Sequence, residues 1–451
     1  MRRSNLSFFV VVSITAMLLL FFQPVLAQEG GKPQKIKKGW TVGPLPAISF
    51  NSDLGFQYGA LVNFHYFGDG STYPKYMHSV FAEWSRYTKG SGINRLFYDS
   101  EYLIPGIRFT ADLNYYTDQA LDFYGFNGYD AVYNPEWEDD SDTTAYKSRM
   151  FYNHKRSMFR FLADFQGGII GRKLRWAAGI GVLHCAIAPV DIARLNKGKD
   201  EADKLPDIPG LYEKYIEWGI IGEVEKDGGW ANNLKAGIIW DTRDFEPNPM
   251  KGMWSEAVIF LSPRFVNQCE YGFAKISLTH RQYFTLIKDK LSFAYRLNYQ
   301  GTIAGSAPFY IQPYVVNSFN NSSLPDGIGG AKSVRGMIRN RVVGDATAFG
   351  NAEFRWKVWR TVVLNQNFYI GINAFVDAGQ VLKKMDIDTL WVPEDEKELY
   401  FSTGDEFLHT TAGLGLRLVL NENFIVALDW GKAFDKRDGD TGLYIGLNYL
   451  F

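Results

Sequence analysis

Cysteine is nearly absent. The 451 residues hold two, Cys185 and Cys269, which define no disulfide framework and no CxxC pair. Either they pair with each other after export or both stay free thiols. Histidine is nearly as scarce, with six residues and no HExxH arrangement. Neither a G-x-S-x-G elbow nor a phosphate-binding glycine loop occurs. The expectation is therefore a non-enzyme, with no catalytic residues, no metal and no cofactor. A formal charge of −1 excludes the basic balance of a nucleic-acid binder. Long apolar runs are missing as well, with one exception at the N-terminus, so no later segment is long and apolar enough for a membrane helix.

In that exception Arg2 and Arg3 precede an apolar run from Phe8 to Phe22, followed by Pro24 and Val25-Leu26-Ala27. A charged start, an apolar centre and a small-residue end make a signal peptide over residues 1–27. The alternative is a membrane anchor, for which the run is short. No cysteine follows the cleavage point to accept a lipid. Residues 28–40, rich in Gly, Lys and Gln, are expected to form a short periplasmic arm, too short to bury a core.

What is abundant is aromatic: 16% of the chain, with 26 Tyr and 34 Phe, at a mean hydropathy of only −0.18. That balance suits strands that are apolar on one face only, in a membrane barrel or a large soluble sandwich. From Gly43 to Phe451, within a barrel domain taken as 41–451, the pattern has period two. Leu291, Phe293, Tyr295, Leu297 and Tyr299 alternate with Ser292, Ala294, Arg296, Asn298 and Gln300. Leu443, Ile445, Leu447, Tyr449 and Phe451 share one face of the last segment. Sixteen strands are predicted: 41–50, 54–67, 75–88, 92–104, 106–118, 149–166, 171–188, 232–243, 252–263, 272–286, 290–304, 347–360, 366–380, 408–420, 423–434 and 441–451. The long connections, 119–148, 189–231, 305–346 and 381–407, all leave odd-numbered strands. All long loops then lie at one end, as in outer-membrane barrels, whereas a sandwich has no reason to segregate them. The fold class is an all-β transmembrane antiparallel barrel in the bacterial outer membrane, with membrane lipid as one partner.

Pro44 and Pro46 lie two apart, so both remove N–H donors from the same edge of the first strand. If that edge meets the last strand, the closing seam is weak, and Gly446 weakens it further; Phe451 ends that strand. Alternatively the prolines precede the strand.

A glycine-broken stretch beginning at Gly329 carries Val334-Arg335-Gly336 and leads into a strand with Glu353 on one face and Phe354 and Trp356 on the other. On the next strand Ile370, Ile372 and Val376 take the lipid face, which leaves Asp377 in the lumen. Two carboxylates of like charge on neighbouring strands invite a cation, and Arg335 at a loop tip supplies a bidentate one, with Gly336 permitting the turn. The expectation is a loop latched inside the lumen; three unrelated polar residues are the alternative. Elsewhere, the acidic run Glu136 to Asp142 reads as a cation site or, more plainly, as solvated charge, and Asp438-Gly439-Asp440 reads as a tight turn.

VRGM at 334–337, GNAEFR at 350–355, FVDAG at 375–379 and DTRDFEPNPMKG at 241–252 resemble successive signature segments of the BamA/TamA superfamily, the bacterial surface-antigen barrels. These segments lie in the C-terminal half; the first half matches by strand count alone. Met337 departs from the family's usual aromatic. The resemblance implies a sixteen-stranded barrel with a weak first/last-strand seam. It implies a sixth external loop whose arginine, here Arg335, pairs with Glu353 and Asp377. It also implies a strand-end turn motif, here Asp241, Arg243, Asp244 and Gly252. Family members usually carry client-receiving POTRA domains ahead of the barrel, and this chain is expected to be a barrel-only member. The expected function is assistance with outer-membrane protein insertion or translocation, as an accessory whose partners are unfolded outer-membrane proteins or a POTRA-bearing assembly complex. The seam would open while the latched loop braced the opposite wall. The rivals are a passive pore and a surface-binding barrel working through loops 119–148 and 189–231, with Tyr124, Phe126, Tyr129, Tyr133 and Trp137 as contacts.

Overall fold

Alternating side chains need two unlike environments, and a closed sheet provides them: hydrocarbon outside and a polar lumen inside. The computed structural model describes residues 36–73, 75–141, 144–246, 248–267, 272–314, 319, 326–363, 366–420 and 424–451. The proposed signal peptide, most of the arm and Cys269 lie outside them. Sixteen strands close into one antiparallel barrel. In order they are β1 (Trp40–Pro46 with Ser49–Asn51), β2 (Gly55–Tyr66), β3 (His78–Tyr87), β4 (Gly92–Ile104), β5 (Ile107–Asp122), β6 (Asn153–Ile170), β7 (Leu174–Ala188) and β8 (Gly228–Trp230 with Asn233–Asp241). There follow β9 (Gly252–Ser262), β10 (Phe273–Ile287), β11 (Leu291–Gly305), β12 (Ala346–Val363), β13 (Gln366–Lys383), β14 (His409–Leu420), β15 (Phe424–Ala433) and β16 (Thr441–Leu447). β1 and β8 are each interrupted for two residues without losing register against β2 and β7.

The outward face is apolar: Trp356 is 54% and Val376 53% exposed, with Leu234, Leu297, Phe354 and Leu414 similar. The inward face is polar and paired across strands. Arg95 and Arg160 both meet Asp112, Arg156 meets Asp118, and Lys235 meets Asp164 at 2.7 Å. Buried charges persist where each has a partner, and here the neighbouring strands supply it.

The long connections leave β5, β7, β11 and β13, all at one end. They pack into a dome with an aromatic core, and among the described residues three short helices lie in them: α1 (Ile192–Asn196), α2 (Leu211–Glu217) and α3 (Glu394–Tyr400). Trp137 packs on Tyr400 at 5.2 Å, Phe126 on Tyr215 at 5.7 Å and Trp218 on Tyr400 at 5.1 Å. Tyr124, Phe126, Tyr129 and Trp137 are buried in this dome, and Tyr133 packs on Tyr124 and Tyr152. Their sequence reading as partner contacts is corrected: they hold the loops together.

The connection from β11 to β12 drops into the lumen. Its Phe309, Tyr310, Ile311 and Tyr314 are buried, and it is tied to the walls through Gln300 Nε2 to the Tyr314 carbonyl and Lys275 Nζ to Gln312 Oε1 at 2.8 Å each.

Candidate functional site: the lumen latch and the seam

The tip of the lumen loop needs backbone turns that most residues resist. Gly329, Gly330 and Gly336 all have positive φ, 94° at Gly336. Gly336 sits against the β15 backbone, where an added Cβ would come within 2.5 Å of the Gly431 carbonyl carbon. Gly431 faces the same constraint from the other side, its would-be Cβ 2.6 Å from the Arg335 carbonyl oxygen. This mutual approach of two glycines seats the arginine.

Arg335 is 1% exposed. Its Nε and Nη2 donate to the two oxygens of Asp377 at 2.8 and 2.9 Å, and its backbone N–H donates to the same carboxylate at 3.1 Å. Nη1 lies 2.7 Å from Glu353 Oε1, a charge pair rather than an aligned hydrogen bond. Below the guanidinium plane is the Phe375 ring, 3.5 Å from Cζ to centroid. Thus the structure brings Arg335, Glu353 and Asp377 together. Val334 is fully buried in a cluster with Ile328, Val342, Phe349 and Val381, and Met337 completes it, a flexible thioether filling an irregular gap.

Three further charged groups belong to the site. Asp429 on β15 lies 3.6 Å from Arg335 Nη1 and accepts two hydrogen bonds from Arg417. Arg355 Nε donates to Glu353 Oε2 at 2.8 Å. Three arginines therefore face three carboxylates. Asp429 and Gly431 were legible as lumen-facing by alternation, but nothing in the spacing tied them to Arg335. Tyr444 of β16 accepts from the Gly336 N–H through its hydroxyl at 3.2 Å. The tip therefore grips β12, β13, β15 and β16, the wall beside the seam, and the expectation that it braces the opposite wall is corrected.

A second polar cluster joins four loops at the dome end. His409, fully buried, makes a 2.6 Å contact from Nδ1 to Asp438 and a 3.1 Å contact from Nε2 to Glu406. Tyr129 stacks on its ring at 3.8 Å and donates to Asp438. Arg341, from the lumen loop, donates to the carbonyls of Gly128 and Ala131. The Asp438-Gly439-Asp440 stretch does turn the chain, with Gly439 at φ 97°, but Asp438 is fully buried and is a joint between loops. In the acidic run, Glu136, Asp139 and Asp140 are exposed and Glu138 is half-buried; Asp142 lies outside the described residues. Burial, then the Asp122 carboxylate, pushes Glu138 up to about 8. Lys147, clasped by Trp137 at 3.3 Å, is lowered to about 8 by burial and then by Lys214.

At the short-turn end Arg243 folds back onto Asp241 with Nε and Nη2 at 2.9 and 3.0 Å and lies over Trp254. Asp244 accepts from the backbone N–H groups of Phe245, Met250 and Lys251, and Gly252, at φ 98°, passes 2.1 Å from the Thr242 carbonyl where a Cβ would stand. The turn reaches under the lumen, where Asn248 donates to the Tyr369 hydroxyl at 2.8 Å.

The seam is short. β16 pairs with β1 only through Tyr444 with Asn51 and Ile445 with Phe50, extended by hydrogen bonds between Ser52 and Leu443. β12 and β13, by contrast, pair from Ala346 with Lys383 to Val363 with Gln366. The Gly39 and Ala47 N–H groups both point to β2, so alternation aims positions 44 and 46 the other way, toward the seam. Pro44 and Pro46 pair with Val62 and Ala60 inside β1, not before it, and offer that edge no donors. Gly446 pairs with Ala427 of β15 and has no partner in β1. Phe451 departs from its expected place. β16 ends at Leu447, Asn448 takes φ 69°, and the chain turns into the lumen. There Phe451 is buried against Tyr283, and its backbone oxygen accepts from Arg355 Nη2 at 2.9 Å.

The sequence matches the family model for the Omp85 superfamily domain over residues 110–449. Among solved structures it is similar to BamA from Haemophilus ducreyi lacking POTRA domains 1–3, with 15% identity and a TM-score of 0.54, covering 92% of this chain and 71% of that one. It is also similar to CdiB from Escherichia coli, with 10% identity and a TM-score of 0.50, covering 93% of this chain and 64% of that one. At these identities the likeness is one of fold. No curated protein matches.

Proposed function

Because the chain belongs to the Omp85 superfamily, we propose that it acts in the bacterial outer membrane to help proteins insert into or cross that membrane, as an accessory to a POTRA-bearing assembly complex. The observation that carries this reading is the two-residue pairing between β1 and β16 in an otherwise fully paired barrel. The seam holds only a few hydrogen bonds, so opening it frees far fewer backbone groups than parting any long ladder, and each freed group in hydrocarbon then needs a new partner. An opened seam presents two strand edges to the membrane, and an unfolded outer-membrane strand satisfies its own backbone by pairing with one of them. The work is done by hydrogen-bond exchange, with no covalent step. The lumen loop, held by Arg335, keeps β12, β13 and β15 in place, and its single hydrogen bond to β16 among the described residues, from Gly336 to Tyr444, is what it must release when β16 moves. The filled lumen counts against a passive pore, and the buried dome aromatics count against partner binding through them.

The test is a disulfide across the seam. Phe50→Cys with Ile445→Cys pairs opposed positions. Folding of a denatured outer-membrane barrel into vesicles, with the assembly complex present, should lose this protein's contribution when the pair is oxidised and regain it on reduction. Full contribution from the oxidised form would refute the reading. Purification from native outer membrane in mild detergent should bring the assembly complex along.

A further inference from the structure

On the dome, α2 and α3 lie side by side and leave a cleft of about 610 Å³ between them. Its walls are two indoles, Trp218 and Trp391. Trp218 is buried at the base, but Trp391 is 75% exposed, a large apolar surface that the dome core leaves uncovered. Around them stand Lys214, Glu217, Asp395 and Glu396. Lys214 is already satisfied: its Nζ pairs with Glu396 at 2.8 Å and lies over the rings of Trp218 and Tyr400. Glu217 and Asp395, both exposed, have no hydrogen-bond or ion-pair partner among the described residues. The cleft thus offers an apolar wall and two unpaired carboxylates. An aromatic face attracts an organic cation through its quadrupole, and an alkyl chain buries against it.

We infer that this cleft binds a linear polyamine, its methylene chain lying along Trp391 and its ammonium groups meeting Glu217 and Asp395. The charge balance selects against anions such as phosphorylated sugars, because the one cation present is already paired. A neutral saccharide would use the indole but leave the two carboxylates without a cation. The inference is independent of the seam and of the proposed activity.

Titration calorimetry of the detergent-purified full chain with spermidine at low ionic strength tests it. One saturable site is expected, with a dissociation constant of about 1 mM or tighter. Trp391→Ala, and separately the pair Glu217→Gln with Asp395→Asn, should each weaken it by about tenfold. Glu136→Gln, an exposed acid on another loop, should leave it unchanged. Absence of saturable heat, or equal weakening by Glu136→Gln, would overturn the inference, leaving only diffuse charge attraction. Quenching of indole fluorescence by a neutral oligosaccharide but not by spermidine would overturn it too.

Discussion

Removing Arg335 should cost more than any other single truncation of an arginine in the lumen, and the geometry says which partner suffers. Glu353 keeps Arg355 at 2.8 Å and Asp429 keeps Arg417 at 2.9 Å, so both stay neutralised. Asp377, whose two oxygens are both taken by Arg335, is left as a buried charge without its counter-ion. Breaking a buried pair from one side costs about 3–5 kcal/mol. Arg335→Ala should therefore lower the urea midpoint of the detergent-folded barrel, read by loss of the fast-migrating form of the unheated sample on gels. Arg335→Glu should lower it further by adding a like charge. Arg335→Ala with Asp377→Asn removes the orphan and should recover at least half the loss, a coupling of about 2 kcal/mol or more between neighbouring groups. A double variant no more stable than Arg335→Ala, or an Arg335→Glu barrel with unchanged midpoint, would sink the argument that charge pairing holds the loop.

Three other outcomes follow from the same structure. Gly336→Ala and Gly431→Ala each force a methyl into backbone within 2.6 Å, so each should unseat the loop as Arg335→Ala does, whereas Gly446→Ala meets no atom within 4 Å and should leave the midpoint unchanged. Limited proteolysis of the lumen loop reads all three. Dome stability should fall as pH rises from about 4.5 to about 8: Glu138 is protonated in both states below this window, and across it the unfolded loop ionises while the folded one resists. Lys147 acts oppositely above that window, favouring the folded dome increasingly from about 8 to 10.5, because its folded form prefers to be neutral. Glu138→Gln should flatten the lower limb in hydrogen exchange of residues 123–152, and an unchanged profile would count against the assignment. Asp438→Ala should leave His409 and Tyr129 without their shared acceptor and raise protease sensitivity at the dome while sparing the strands.

The strands were legible because alternation reports a physical boundary. Phe354 and Trp356 face out and Glu353 faces in whatever the rest of the chain does. The segregation of long loops was legible for the same local reason, since it needs only strand parity. Arg335, Glu353 and Asp377 were found through their motifs, which carry the pairing along 42 residues. Asp429, Gly431 and Tyr444 were not, because the same loop tip reaches them across up to 108 residues with no spacing rule. The aromatics of the β5–β6 connection misled because a ring that binds a partner and one that packs on Tyr400 look alike in sequence. Phe451 misled because alternation continues past Leu447 although the strand does not, and only the positive φ at Asn448 marks the break.

The grip of the Arg335 tip on strands that come later in the chain carries a consequence for biogenesis. The loop cannot seat until Glu353, Asp377, Asp429 and Tyr444 are in place to receive it. Its seating requires four later strands to be in register, which makes it a late event and one that samples the completeness of the C-terminal quarter. Contacts of such sequence separation form slowly because chain closure precedes their reward. A barrel misregistered at β12 or β13 would bring neither Glu353 nor Asp377 to the tip and would leave the loop open to proteases, so seating of the loop reports that those strands are in register. Pulsed proteolysis during refolding should find residues 329–343 protected after the β5–β8 wall; protection at the same time or earlier would remove that role.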